Sequence, residues 1–141
     1  MGDLDHANAM AKLTIRIDFD TGASIGPGKV RLLEEIEKTG SIRKAAEAVG
    51  MSFRQAWLLL RAIEEMFGQP VIITLRGGVR GGGSALTPLG RLAVANYRRL
   101  EQAAQAAAQR ELSDLEANIV QAGAGRTAPR SRISRKSLKN K

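Results

Sequence analysis

"SIRKAAEAVGMSFRQAWLLLRAIEE", residues 41–65, holds two apolar stripes of helical period with a single glycine, Gly50, between them. Ile42, Ala45, Ala46 and Val49 recur at the i, i+3, i+4, i+7 spacing of one helix face, with Ser41 placed as N-cap and Gly50 as the stop. Met51 fills the corner and Ser52 caps a second helix, in which Phe53, Ala56, Trp57, Leu60 and Ile63 form the expected buried stripe. Two helices joined by a short glycine-containing turn, with alanines where they must approach closely, make a helix-turn-helix. The second helix then leaves Arg54, Gln55, Leu58 and Arg61 on its outer face. From there a recognition helix reaches the base edges and phosphates of duplex DNA.

The flanks extend this reading. Upstream, "LTIRIDF" (13–19) alternates Leu13, Ile15, Ile17 and Phe19 against Thr14, Arg16 and Asp18, the period of a half-buried strand. After the turn "DTGASIGPG", Pro27 opens a helix over about 27–39 with Val30, Leu32, Leu33 and Ile36 as its apolar stripe, closing at Thr39 and Gly40. Downstream, "VIITL" (71–75) reads as a strand and "SALTP" as a short return strand, before Thr87 and Pro88 start another helix as N-cap and N1. The five glycines between Gly77 and Gly83 are then the tip of a β-hairpin directly after a recognition helix, which is a wing.

Two other readings of these glycines are weaker. A nucleotide phosphate loop needs G-x-x-x-x-G-K-[ST], and both available registers lack the Lys; G-x-G-x-x-G fails as well, because Gly81 and Gly83 are followed by Leu86. A flexible linker seldom carries arginines between ordered segments. In the wing reading, Gly77, Gly81 and Gly82 let the backbone approach phosphate, while Arg76 and Arg80 supply charge.

From Pro88 to Ile119 the apolar residues Leu89, Ala93, Tyr97, Leu100, Ala104, Ala108, Leu112, Leu115 and Ile119 are spaced by threes and fours, which predicts one long helix of ~48 Å. Its distal stripe needs a surface to cover it, and the simplest is the same helix of a second copy. A homodimer would also present two recognition helices to a two-fold symmetric site, with half-sites ~34 Å or a multiple apart. The fold class is thus mainly α with a small β-sheet: a winged helix-turn-helix followed by a long C-terminal dimerisation helix. The expected boundaries are a disordered start (1–11), the DNA-binding domain (12–87), the dimerisation helix (88–120) and a disordered basic tail (121–141).

Composition excludes several classes of function. Cysteine is absent, which removes disulfides, thiolate metal sites and cysteine nucleophiles, and fits a reducing compartment. The only histidine is His6, in the expected disordered start, so histidine-based triads and metal sites have no scaffold. Glu34, Glu35, Glu37, Glu64 and Glu65 read as solvated helix faces rather than paired catalytic carboxylates. No catalytic residue, metal ligand or cofactor is expected, and the chain reads as a binding protein rather than an enzyme. No run approaches the ~20 apolar residues of a membrane span, and the acidic start lacks secretory-signal character, so the expectation is a cytoplasmic protein without a membrane partner.

The net charge of +8 is unevenly placed. Seven of the 22 basic residues and none of the 14 acidic ones fall in 123–141, leaving 15 basic against 14 acidic in 1–122. Within that nearly neutral body, residues 76–99 hold five arginines and no acid, the clustering a binding face needs. The basic tail would add salt-sensitive affinity for nucleic acid, or serve only as a solubilising end.

The motifs "LLEEIEKTGSIRKAAEAVGMSFRQAW" (32–57), "QPVI" (69–72) and "RGGVRGGGSALTPLG" (76–90), within a match over about 25–102, resemble the N-terminal DNA-binding domain of the molybdate-responsive ModE-type transcriptional regulators, which are related to the LysR winged helix-turn-helix group. The resemblance implies sequence-specific binding of double-stranded DNA by a homodimer, and a link to molybdenum metabolism. It implies DNA contact from Ser52, Arg54, Gln55 and Arg61 and from the wing around Arg76 to Gly83. Ser41, Arg43, Leu58 and Thr87 complete the candidate DNA face, although Leu58 stands where the family usually has a polar residue. Dimerisation is implied through the strand (Leu13, Ile15, Ile17) and the long helix (Ala93, Tyr97, Leu100, Ala104, Ala108, Leu112). Family members that sense molybdate do so through C-terminal β-barrel modules, and nothing after Ile119 reads as one, so no molybdate site is expected within these residues. The competing readings are a sequence-tolerant architectural DNA-binding protein and an adaptor that pairs through the long helix.

Overall fold

The computed structural model describes residues 10–76 and 82–120. These fall into two units: residues 13–106, and a smaller one of residues 10–12 with 107–120.

The larger unit opens with β1 (Ile17–Asp18) and β2 (Ser24–Ile25), an antiparallel pair in the register Ile17↔Ile25 and Asp18↔Ser24. The alternation read from "LTIRIDF" survives in burial, with Leu13, Ile15 and Ile17 each half-buried and their neighbours exposed. Only Ile17 and Asp18 are in the ladder, however, and Phe19 is exposed because the chain turns there, Gly22 N–H donating to the Phe19 carbonyl.

Three helices follow: α1 (Pro27–Thr39), α2 (Ile42–Val49) and α3 (Phe53–Phe67). Local chemistry sets their ends. Pro27 lies in the first turn of α1, where its missing N–H costs nothing. Ser41 Oγ accepts the Lys44 N–H at 3.0 Å and Ser52 Oγ accepts the Gln55 N–H at 3.0 Å, each satisfying an amide the helix cannot. Gly50 closes α2 at φ 79°, a left-handed conformation that a side chain would oppose, and its N–H reaches back to the Ala46 and Glu47 carbonyls. That glycine lets α3 leave so soon after α2.

The core forms where these helices meet. Leu32, Leu33 and Ile36 from α1, Ile42, Ala45 and Ala46 from α2, and Ala56, Leu60 and Ile63 from α3 pack with Val71 and Leu86. Ala45 and Ala56 are fully buried, small enough for the helices to approach closely. The buried stripe of α3 is narrower than the sequence suggests: Phe53 and Trp57 are exposed, because they lie at its edge rather than beneath α1 and α2.

A hairpin, β3 (Ile72–Leu75) and β4 (Gly83–Leu86), follows α3 in the register Ile72↔Leu86 to Leu75↔Gly83. Thr87 then caps α4 (Pro88–Ala107), its Oγ1 accepting the Gly90 N–H at 3.1 Å. A second cluster joins Ile25, Val30 and Tyr97, with Ile15, Ile17, Met66 and Val94 packed around it. Tyr97 is 2 % exposed and its hydroxyl donates to the Ile15 carbonyl at 2.6 Å, tying α4 to the first strand segment. Burial, with the nearby Glu101 charge, holds the Tyr97 hydroxyl above the ordinary tyrosine range. Arg98 adds a forked ion pair from α4 to α1, with Nε and Nη2 each 2.8 Å from the Glu34 carboxylate.

The long helix predicted over 88–119 is interrupted. α4 ends at Ala107, Ala108 sits at φ −96° and ψ 9°, and α5 runs Gln109–Ala117. Nothing in the local sequence favours this break, alanine being the strongest helix former. In the smaller unit the Ala11 N–H donates to Glu116 Oε2 at 2.6 Å. No helix among the described residues is long and apolar enough to cross a membrane.

Candidate nucleic-acid interface

The site is built on α3. Its core side is fixed by Ala56, Leu60 and Ile63, so the helical repeat places Arg54, Gln55, Leu58 and Arg61 outward, and all four are exposed. Leu58 is 57 % exposed, an outward apolar group between cationic neighbours. Ser52 is exposed at the head of this helix with its oxygen engaged as the cap acceptor; its O–H remains free to donate among the described residues. Ser41, half-buried, stands in the same position at the head of α2, and Arg43 is exposed in its first turn.

The hairpin is held beside these helices by backbone groups and two carboxylates. Glu64 Oε2, on α3, accepts the Val71 and Ile72 N–H groups at 2.9 and 3.3 Å. The Gly40 carbonyl, at the end of α1, accepts the Ser84 N–H at 2.9 Å. Glu37 Oε1 accepts the Leu86 N–H at 3.4 Å, and the Thr87 N–H donates to the Val71 carbonyl at 2.9 Å. The β3 side is thus anchored to α3, which carries the outer face, and β4 to the C-terminal end of α1. Sequence reading treats Glu37 and Glu64 as solvated, because their partners are backbone amides of distant residues.

Ser41, Arg43 and Gly82 are brought together along one groove between α2, α3 and the hairpin. Arg76 is exposed at the end of β3. Gly77, Arg80 and Gly81, the rest of the predicted wing contacts, lie outside the described residues. Thr87 sits apart from that groove, with its hydroxyl used on both sides, donating to the Pro70 carbonyl at 2.9 Å and accepting from Gly90. Its evident work is to join strand and helix.

Two of the hairpin glycines answer to the chain itself. A Cβ at Gly82 would fall on the Leu75 carbonyl, and one at Gly83 would come within 2.9 Å of the Gly40 carbonyl. Close pairing, as well as any approach to phosphate, requires them. Gly82→Ala should therefore lower stability by about 1–3 kcal/mol in urea unfolding, the range for overpacking against backbone that cannot yield; an unchanged midpoint would show that the hairpin opens there without cost.

Of the predicted dimer residues, Ala93 and Tyr97 are already buried within the chain, and Ile15 and Ile17 pack on the Tyr97 cluster. Leu13 and Ala104 are half-buried and Leu100 is 44 % exposed; Ala108 and Leu112, in the smaller unit, are half-buried. Among the described residues no group of three His, Cys, Asp or Glu is placed to hold a metal ion.

Residues 28–91, from α1 to the start of α4, match the bacterial regulatory helix-turn-helix protein family of the LysR type. The chain is 39 % identical over 94 residues to the molybdenum transport protein ModE of Azotobacter vinelandii, covering 67 % of this chain and 35 % of that protein. It is 42 % identical over 81 residues to the molybdenum-pterin-binding protein MopB of Rhodobacter capsulatus (57 % and 30 %), and 34 % identical over 91 residues to the transcriptional regulator ModE of Haemophilus influenzae (64 % and 36 %). The chain thus spans about a third of the length of these relatives. Among solved structures, FabT of Streptococcus pneumoniae in complex with DNA is loosely similar, at 18 % identity and a TM-score of 0.43 over 82 % of this chain and 72 % of that one. Helix pair, anchored hairpin and sequence kinship converge: residues 28–91 form a winged helix-turn-helix domain that matches the bacterial LysR-type regulatory helix-turn-helix family, and the relatives that share this region include ModE and Mop proteins.

Proposed function

We propose that this protein is a sequence-specific DNA-binding transcriptional regulator that acts as a homodimer on a two-fold symmetric site. The observation that carries the reading is the outer face of α3, where Arg54, Gln55, Leu58 and Arg61 are exposed together beside a hairpin tethered to the same helix through Glu64. Arginine offers paired donors to the guanine O6 and N7 acceptors, glutamine a donor and an acceptor to the adenine N7 and N6 edge, and Leu58 an apolar surface to a thymine methyl. Arg43 and Arg76, with Arg80 by sequence, supply the phosphate contacts that position the helix without reading bases.

For pairing with a second copy the larger unit offers Leu100, 44 % exposed on α4, with Leu13 and Ala104 half-buried; the smaller unit, taken by itself, offers Leu115 and Ile119, 63 % and 57 % exposed, with Ala108 and Leu112 half-buried. A protein of twice the 15.1 kDa chain mass is expected in sedimentation, with Leu100→Asp shifting it toward the monomer. A monomeric wild type at micromolar concentration would contradict the dimer. Selection of bound sequences from random duplex should return an inverted repeat, and repeating it with molybdate tests the link to molybdenum that the relatives' names suggest. Recovery of unrelated sequences would favour the architectural reading, and no recovery the adaptor.

A further inference from the structure

Phe53 and Trp57, which the helical repeat assigns to the core, instead form one wall of the groove between α3, the head of α2 and the hairpin. Ser41 and Arg43 form the second wall, and Thr74 and Ser84 the third. The groove has a volume of about 290 Å³ and, among the described residues, no acidic one lines it. Trp57 is 40 % exposed and Phe53 38 %. Their rings meet edge to face, 6.3 Å apart at 88°, and the Arg43 guanidinium lies 4.2 Å over the Phe53 ring. That stacking gives Arg43 a fixed place while leaving its N–H groups free. Among the described residues, neither those groups nor the indole N–H of Trp57 has a hydrogen-bond partner.

Apolar ring faces, unpaired donors and one cation, with no carboxylate, match one feature of duplex DNA. A sugar-phosphate backbone presents an apolar deoxyribose edge and an anionic acceptor in alternation. Position favours the same occupant, because the groove is continuous with the outer face of α3 and bounded on its far side by the hairpin. With α3 in the major groove and the hairpin over the adjoining minor groove, the backbone ridge between the two grooves falls here. We infer that this groove seats that backbone: deoxyribose packs on the Phe53 and Trp57 rings, the indole N–H donates to a phosphate oxygen, and Arg43 supplies charge from its stacked position. Trp57 is thus a sequence-tolerant anchor, distinct in role from Arg54 and Gln55. The inference rests on the proposed function and deepens it.

Trp57 is the only tryptophan, so its fluorescence reports on this groove alone. The full chain is titrated with the selected and a scrambled duplex, following binding by anisotropy of labelled DNA and, separately, the quenching of Trp57 by acrylamide. Quenching should fall at least twofold at saturation with either duplex. Trp57→Phe keeps the ring but deletes the donor, and should weaken both duplexes by about tenfold with an unchanged salt slope. Arg43→Ala should reduce that slope by about 1. Duplex binding that leaves quenching unchanged would overturn the groove assignment while sparing the proposed function. A Trp57→Phe loss confined to the selected site would overturn it in favour of base reading. No binding of either duplex by the wild type would remove both.

Discussion

Leu60→Ala is expected to destabilise the protein by about 2–5 kcal/mol, the range measured for leucine truncation in a packed interior. Leu60 is 1 % exposed at the centre of α3, in the cluster where all three helices meet Val71, just before β3, and Leu86, the last residue of β4. The alanines around it cannot grow to fill the space, and α2, only two turns long, has little else to hold it. Urea unfolding should show a lower midpoint with little change in slope, since the surface exposed on unfolding is nearly the same. A loss below about 1 kcal/mol would mean that the helices close over the vacancy, and that the core is more plastic than its burial implies. Below its own unfolding transition the variant should keep the wild-type ratio of affinities for selected and scrambled duplex, because Leu60 lies on the side of α3 opposite Arg54 and Leu58.

Arg54→Ala is expected to weaken binding of the selected site by roughly ten- to hundredfold, the value of a good bidentate base contact, and to leave scrambled duplex nearly unchanged. Arg54 is exposed in the first turn of α3, so its removal should leave stability within about 0.5 kcal/mol of wild type. Arg80→Ala supplies the contrast, with affinity for both duplexes falling together and the salt slope shrinking by about 1. Equal losses on both duplexes for both variants would remove the division between base reading on the helix and backbone contact on the wing. Titrations at two salt concentrations are needed, because affinity alone mixes the two contributions.

The residues that made the fold legible in the sequence act locally. Pro27, Ser41, Gly50 and Ser52 set helix ends through their own backbone or side-chain chemistry, and the observed helices begin and end where those residues stand. The outward set Arg54, Gln55, Leu58 and Arg61 was legible for the same reason, since a helix whose core side is known has a known outer side. Phe53 and Trp57 were not, because a period locates the middle of an apolar stripe and leaves its width to the neighbouring elements. At 100° per residue Trp57 lies about 90° from the centre of Ala56, Leu60 and Ile63, just where α1 and α2 cease to cover α3. Glu37 and Glu64 read as merely solvated because an exposed-looking carboxylate acquires backbone partners only once the hairpin is in place. Tyr97 shows the same limit from the other side: its stripe on α4 is apolar as read, yet the surface that covers part of it is the chain's own β1, β2 and α1 region. The interruption at Ala108 has no local signal at all.

Sequence-specific recognition is measured by the ratio of affinities for two duplexes of equal length, one carrying the site recovered by selection and one its scrambled counterpart, taken by anisotropy near 0.15 M salt. A regulator that reads bases through α3 should prefer the selected duplex by at least about a hundredfold. Equal affinity for the two would contradict sequence-specific recognition, whatever the fold.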